Sequence, residues 1–166
     1  MTDEPRVESD VSLRVNGEER RLHVEVRRTL ADALRHDLGL TGTHLGCEHG
    51  VCGSCTVLLD GGPGRSCLVL AVQADGGDVV TVEGLGTPDD LHPVQQGCLE
   101  SHAFQCGFCT PGMLVSAVAL LAENDDPDDT EIREALGGNL CRCTGYESIV
   151  AGVRRGAELL RLEGQG

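Results

Sequence analysis

The chain is expected to fold as an α+β protein, with strands gathered in its first half and helices in its second. Three observations carry that expectation. Residues 11–15 and 21–26 alternate apolar and polar around Asn16-Gly17, the pattern of a hairpin closed by a tight turn. From Val94 onward the apolar residues recur at helical spacing. Between the halves, Gly84-Leu85-Gly86-Thr87-Pro88-Asp89-Asp90-Leu91-His92-Pro93 has the Gly, Pro and Asp content of a connector. The implied division is a first domain over residues 10–84, a linker over 85–92 and a second domain over 93–163.

After the hairpin, Thr29 stands where a helix N-cap belongs, with Asp32 three residues on. Leu30, Ala33, Leu34 and Leu38 form an apolar stripe that ends near Gly39. A cysteine-bearing loop comes next, then a strand over 55–59, a turn through Asp60-Gly61-Gly62-Pro63-Gly64, a segment over 67–72 and a last strand over 79–82. The second half predicts four helices, over 94–102, 111–123, 129–136 and 148–162. Thr110 is placed to cap the second of these, with Pro111 at its first position, where the missing N–H costs nothing. The stretch from Met113 to Leu121 is apolar almost all round, so this helix should be the most buried. In the last helix Ile149, Val153, Ala157 and Leu160 mark a buried face, with Arg154, Arg155, Glu158 and Arg161 outside. A small four-helix bundle follows from this order.

Composition narrows the function classes. Of 166 residues, 40% are hydrophobic and 24% charged, which is ordinary for one or two small globular domains. Aromatic residues make up only 2%, so neither half can build a large core from bulky rings, and metal cross-links would make up part of the deficit. The net charge of −14 argues against a nucleic acid or an anionic membrane surface as partner. The longest apolar stretch, from Met113 to Leu121, is too short to span a bilayer. The N-terminus, Met-Thr-Asp-Glu-Pro-Arg-Val-Glu-Ser-Asp, has neither an apolar leader core nor a twin-arginine pair, so a reducing cytoplasmic location is expected and disulfides are disfavoured.

Eight of the nine cysteines form two groups of four. Cys47, Cys52, Cys55 and Cys67 follow a Cys-x4-Cys-x2-Cys pattern with one distal cysteine, the ligand spacing of plant-type [2Fe-2S] ferredoxins. Gly46, Gly50 and Gly53 allow the backbone of this loop to wrap closely and aim N–H groups at the sulfurs. Structural zinc is the rival reading, but zinc sites usually pair two compact knuckles, whereas one loop here supplies three ligands. For the second group, Cys106, Cys109, Cys141 and Cys143, spacing alone leaves cluster and zinc open.

The surrounding residues bear on both groups. Gln105-Cys106-Gly107-Phe108-Cys109-Thr110-Pro111-Gly112 and Asn139-Leu140-Cys141-Arg142-Cys143-Thr144-Gly145-Tyr146 resemble the signature segments of the iron-sulfur small subunit of the xanthine oxidase and carbon monoxide dehydrogenase family of molybdenum hydroxylases. The run from Gly46 through Cys47, Cys52 and Cys55 to Val57 is similar to that family's ferredoxin loop, and the resemblance extends from about residue 11 to about residue 162. It implies an N-terminal β-grasp [2Fe-2S] ferredoxin-like domain followed by a C-terminal four-helix [2Fe-2S]-binding bundle. It also implies a molybdopterin-binding large subunit and an FAD-binding medium subunit as partners, in a dimer of heterotrimers. Gln105 and Cys143 match positions that contact the pterin in that family.

The order of elements gives the second group a physical setting. Cys109 lies just before one predicted helix and Cys141 and Cys143 shortly before another, so two helix N-termini would direct partial positive charge at an anionic cluster and favour its reduced form. Cys98 is expected to be a small buried hydrophobe. His49 could tune the first cluster, although a solvated loop histidine is the plainer expectation. The acidic residues from Asp125 to Asp129 fit a helix cap better than a cation site. No paired carboxylates, activated nucleophile or phosphate loop appears. An electron-transfer subunit without a substrate site of its own is therefore the expectation, against a free-standing two-cluster ferredoxin or a zinc-binding interaction module.

Overall fold

The computed structural model describes residues 6–164; the first five residues of the N-terminal stretch read for a leader lie outside them. Strands β1 (Glu8–Val15) and β2 (Glu18–Glu25) form the expected antiparallel hairpin, with Asn16 and Gly17 both at positive φ as its two-residue turn requires. Thr29 caps the next helix as expected, its hydroxyl oxygen accepting the Asp32 N–H at 3.0 Å. The helix itself is short: α1 (Leu30–Asp32) passes into a π-helical turn over Ala33–Asp37, in which the Leu38 N–H reaches the Ala33 carbonyl. Leu30, Ala33 and Leu34 are fully buried against the sheet.

β3 (Thr56–Leu59), β4 (Gly62–Arg65) and β5 (Asp78–Val80) complete a five-stranded sheet of order β2-β1-β5-β3-β4. β1 and β5 run parallel and the other pairs antiparallel, which with α1 across one face is a β-grasp arrangement. One sequence expectation is corrected. The turn assigned to 60–64 is confined to Asp60 and Gly61, both at positive φ, and Gly62–Arg65 is a strand paired with β3. Pro63 can sit there because β4 is an edge strand, where a missing N–H need not break a ladder. Short 3-10 turns over Ser66–Leu68 and Ala71–Ala74 replace the segment expected over 67–72.

Beyond the 3-10 turn Val82–Gly84 come four helices, α2 (Pro93–Glu100), α3 (Thr110–Glu123), α4 (Asp129–Leu136) and α5 (Glu147–Glu163). Asp128 caps α4 by accepting the N–H groups of Thr130 and Glu131, while Glu131 returns a bond to the Asp128 N–H, so the acidic turn is a capping device. α3 is the expected central helix: Met113, Val115 and Ala117 are at most 1% exposed, and each large side chain so buried contributes about 1.5–3 kcal/mol. Its start differs from expectation. Cys109 is the N-cap, Thr110 the first helical residue and Pro111 the second; the proline still costs no bond, because the first four helical N–H groups have no intrahelical acceptor. Thr110 caps nothing, and its buried hydroxyl has no protein partner. α5 buries Ile149, Val153 and Ala157, and glycines at 152 and 156 let α2 approach so closely that a Cβ there would lie 2.9 Å or less from the Cα of Cys98 or Val94. Cys98 is buried as expected, and burial pushes its thiol up to about 12.

α3 packs on the bundle and also on β3, so it joins the two halves. That contact brings the two cysteine groups near each other.

Candidate metal centres

In the first group, Cys47 and Cys52 stand on the loop between α1 and β3, Cys55 immediately before β3, and Cys67 in the 3-10 turn after β4. The strand pair β3–β4 therefore carries the distal cysteine back beside the loop: Ser66 donates both its N–H and its hydroxyl to the Cys55 carbonyl. The loop turns through positive φ at Glu48, Gly50 and Gly53. Its backbone N–H groups point at sulfur as the glycine spacing suggested. The Cys52 N–H lies 3.3 Å from Cys47 Sγ, and with the His49 N–H it holds the Cys47 thiol down to about 6. Cys55 and Cys67 are buried, and burial followed by the neighbouring Cys55 pushes Cys67 up to about 11. His49 is exposed and its Nδ1 contacts the Cys47 carbonyl, so its ring is engaged with the main chain.

The second group assembles from two helix approaches. Cys106 and Cys109 precede α3, and Cys141 and Cys143 precede α5, so the helix N-termini border the site as the sequence implied. Cys106 and Cys143 Sγ are 3.4 Å apart and both residues are exposed, whereas Cys109 is buried beside Cys141. The Phe108 N–H, followed by the Cys143 thiol, lowers Cys106, and Cys143 is correspondingly raised by Cys106. Burial works against ionisation of Cys141, but the Thr144 hydroxyl, 3.1 Å from its sulfur, and nearby N–H groups outweigh it and lower the thiol. Cys109 is raised to about 12, chiefly by burial and then by Cys141. Each pair thus has one thiol inclined toward thiolate, the ligating form.

The fit to a metal follows from this pairing. Among the described residues no three His, Cys, Asp or Glu side chains converge closely enough for a single metal ion. Tetrahedral zinc needs four sulfurs at about 2.3 Å from one centre, whereas a two-iron core takes two thiolates on each iron. Thiols met in pairs, with N–H and hydroxyl donors aimed at them, fit the two-iron core.

Gln105 is exposed beside Cys106, at the rim formed with Cys143. Three further residues had no assigned role in the sequence. Asn139, 2% exposed, donates to the Gly53 carbonyl at 3.1 Å and accepts from the Ser116 hydroxyl. Arg65 on β4 bonds both the Thr56 hydroxyl and the Gly138 carbonyl, tying the sheet to the loop before α5. Phe108 stacks on His44 with ring centroids 5.0 Å apart, while His44 Nδ1 meets the Phe108 carbonyl. All three act between the halves, which local periodicity cannot report.

A β-grasp unit and a helical bundle, each carrying four cysteines whose thiols meet in pairs, define a two-domain iron-sulfur protein. Comparison with known proteins agrees. Residues 13–81 match the family described as 2Fe-2S iron-sulfur cluster binding domain, and residues 81–154 the [2Fe-2S] binding domain family. The chain is 56% identical over 148 residues to the nicotine 6-hydroxylase small subunit of Paenarthrobacter nicotinovorans, covering 89% of this chain and 88% of that protein. It is 53% identical over 147 residues to caffeine dehydrogenase subunit gamma of Pseudomonas sp. (strain CBB1), covering 87% and 88% respectively. A chain of the crystal structure of quinoline 2-oxidoreductase from Pseudomonas putida 86 superposes with a TM-score of 0.90 at 53% identity, over 93% of this chain and 97% of that one. The chain belongs to the iron-sulfur small-subunit family of the molybdenum hydroxylases. It is an electron-transfer component of an oxidoreductase complex with partner subunits and two [2Fe-2S] clusters. No helix of the described residues is long and apolar enough to cross a membrane.

Proposed function

We propose that Cys47, Cys52, Cys55 and Cys67 hold one [2Fe-2S] cluster and Cys106, Cys109, Cys141 and Cys143 the other, and that this chain links a molybdopterin-binding large subunit to an FAD-binding medium subunit in the cytoplasm. Each cluster, when bound, takes up and releases a single electron, so a two-electron oxidation at the large subunit is divided into steps that a flavin can collect. The chain's own residues supply ligands, N–H and hydroxyl donors to sulfur, and docking surfaces. The observation that carries the reading is the exposure of the second site: Gln105, Cys106 and Cys143 are all exposed, beside the exposed apolar side chains of Phe108 and Leu140. A site meant to meet a cofactor in another subunit needs such an open, apolar-edged rim, and burial under a partner makes that interface dry and lasting. At the first site Cys55 and Cys67 are enclosed, with Val51 and Leu68 exposed nearby.

On this reading the Gln105 amide contacts the pterin and helps fix its distance from the second site. The test uses the whole complex, co-purified at high salt through an affinity tag added to this chain, with its two larger partners. Gln105→Ala should leave both cluster signals intact while rapid-freeze spectroscopy shows slower reduction of the helical-domain cluster by substrate. An unchanged rate with full cofactor occupancy removes Gln105 from the path. A chain that purifies alone, and is fully active as a diffusible carrier, contradicts the subunit role in favour of the free ferredoxin.

A further inference from the structure

Tyr146 stands in a backbone conformation that a bulky side chain rarely adopts. Its φ is 67° and its ψ −19°, in the left-handed region, and the positive φ falls on the tyrosine rather than on Gly145 just before it. Strain of this kind persists only where surrounding contacts fix it, and it gathers at working sites. The contacts here are specific. Tyr146 is the N-cap residue of α5, and its ring, half-buried against the bundle core, reaches back to the loop that carries Cys141 and Cys143. Its hydroxyl oxygen accepts the Cys141 N–H at 2.7 Å, while the hydroxyl itself donates to the Asn139 carbonyl at 3.4 Å. The backbone is held on both sides as well. The Tyr146 N–H donates to the Thr144 hydroxyl at 3.3 Å, and the Tyr146 carbonyl accepts the Val150 N–H at 2.9 Å.

The two cysteine sites use a ligand's own N–H differently. In the first, the Cys52 N–H is turned on Cys47 Sγ; in the second, the Cys141 N–H is turned on the phenol oxygen. Donors aimed at cluster sulfur stabilise the reduced state, which carries one more negative charge. We propose that Tyr146 is a positioning residue that diverts the Cys141 N–H from sulfur and so holds down the reduction potential of the helical-domain cluster. The inference rests on the two-cluster reading above. Thr144 acts in the opposite sense on the same ligand, since its hydroxyl lies 3.1 Å from Cys141 Sγ. One donor is offered to the sulfur and another is withheld from it. The lower potential that results lets this cluster pass its electron on more readily.

Tyr146→Phe removes one oxygen and keeps the ring. The positive end of the Cys141 N–H dipole is then no longer neutralised beside the cluster. The equilibrium for reducing the helical-domain cluster should shift about fivefold toward the reduced state, a rise of about 40 mV at about 59 mV per tenfold for one electron. Potentiometric titration of the whole chain, followed by paramagnetic resonance, reads both clusters in one sample, and the ferredoxin-domain potential should stay where it is. Tyr146 is the single tyrosine of the sequence, so growth on meta-fluorotyrosine weakens this one oxygen as an acceptor with little change of shape. At a pH where that phenol is neutral, the helical-domain potential should rise again, by less. The fluorinated chain decides the matter if Tyr146→Phe does not retain its cluster. A helical-domain potential that is unchanged or lower in Tyr146→Phe, or unchanged in the fluorinated chain where the first variant is empty, overturns the role of Tyr146 alone. Equal shifts of both clusters would mark a general loosening and overturn it too. Absence of a helical-domain cluster signal from the unaltered chain would overturn the two-cluster reading and this inference together.

Discussion

Gly53→Ala tests whether the two halves are locked together at the cysteine loop. Gly53 has φ of +76°, and an alanine held in that region costs about 1–2 kcal/mol. The added Cβ would meet the Gly138 oxygen at 2.5 Å and the Asn139 Cα at 2.9 Å, both main-chain atoms that cannot rotate away. The loop before α5 must therefore retreat, and two hydrogen bonds go with it, Leu140 N–H to Cys52 and Asn139 to Gly53, at about 1 kcal/mol each. The combined cost is about 3–4 kcal/mol. Gly76→Ala is the control: φ is +77° there, but nothing lies within 4 Å of the new Cβ, so only the conformational part of about 1–2 kcal/mol applies. Native-state hydrogen exchange at the Leu140 amide separates the two. The lost docking, about 2 kcal/mol, should speed exchange of that amide by roughly thirtyfold in Gly53→Ala. Gly76→Ala should leave it to follow global stability only. Equal effects of the two substitutions, or a protected Leu140 amide in Gly53→Ala, would refute the interlocked arrangement.

Other outcomes are open to direct measurement. Thr144→Val removes the hydroxyl 3.1 Å from Cys141 Sγ; since such donors stabilise the more negative reduced state, the helical-domain potential should fall by about 40 mV, the one-electron equivalent of about 1 kcal/mol, in a potentiometric titration. Cys52→Ser should abolish only the N-terminal cluster's resonance signal and Cys106→Ser only the other, unless the halves fold as a single unit. His23 contacts Asp10 at 2.8 Å and Glu8 at 3.1 Å, and these bonds, Asp10 first, raise its imidazole above 6.5. Its contribution is thus fully present below pH 6.5 and lost as pH rises through the folded value; nuclear magnetic resonance should show the raised midpoint, and His23→Gln should flatten denaturation midpoints across that window.

The elements legible in the sequence were those whose determinants are local. Asn16-Gly17 between alternating segments, Thr29 before Leu30, and the all-apolar face of α3 each specify structure within a few residues. The first cysteine group was legible through its ligand spacing, which reflects the chemistry of the group it would hold, whereas the second was legible only through the resemblance of its flanking segments, since its spacing alone suits zinc as well. β4 was not, since Gly62-Pro63-Gly64 has the composition of a turn and becomes a strand only by pairing with β3. The roles of Asn139, Arg65 and Phe108 were equally hidden, because each acts on residues far away in the chain. Gly53 shows both sides: its place in a tight cysteine loop was foreseeable, but the backbone of residues 138 and 139 pressing on it was not.

The central claim is that this chain carries two separate [2Fe-2S] clusters that each hold one electron. Reductive titration of the anaerobically purified protein, followed by paramagnetic resonance with parallel metal and sulfide analysis, tests it most directly. About four iron and four acid-labile sulfides per chain, negligible zinc, and two distinct signals that each integrate to about one spin are expected. Half that iron with a single signal, or zinc in place of iron at the second site, would contradict it.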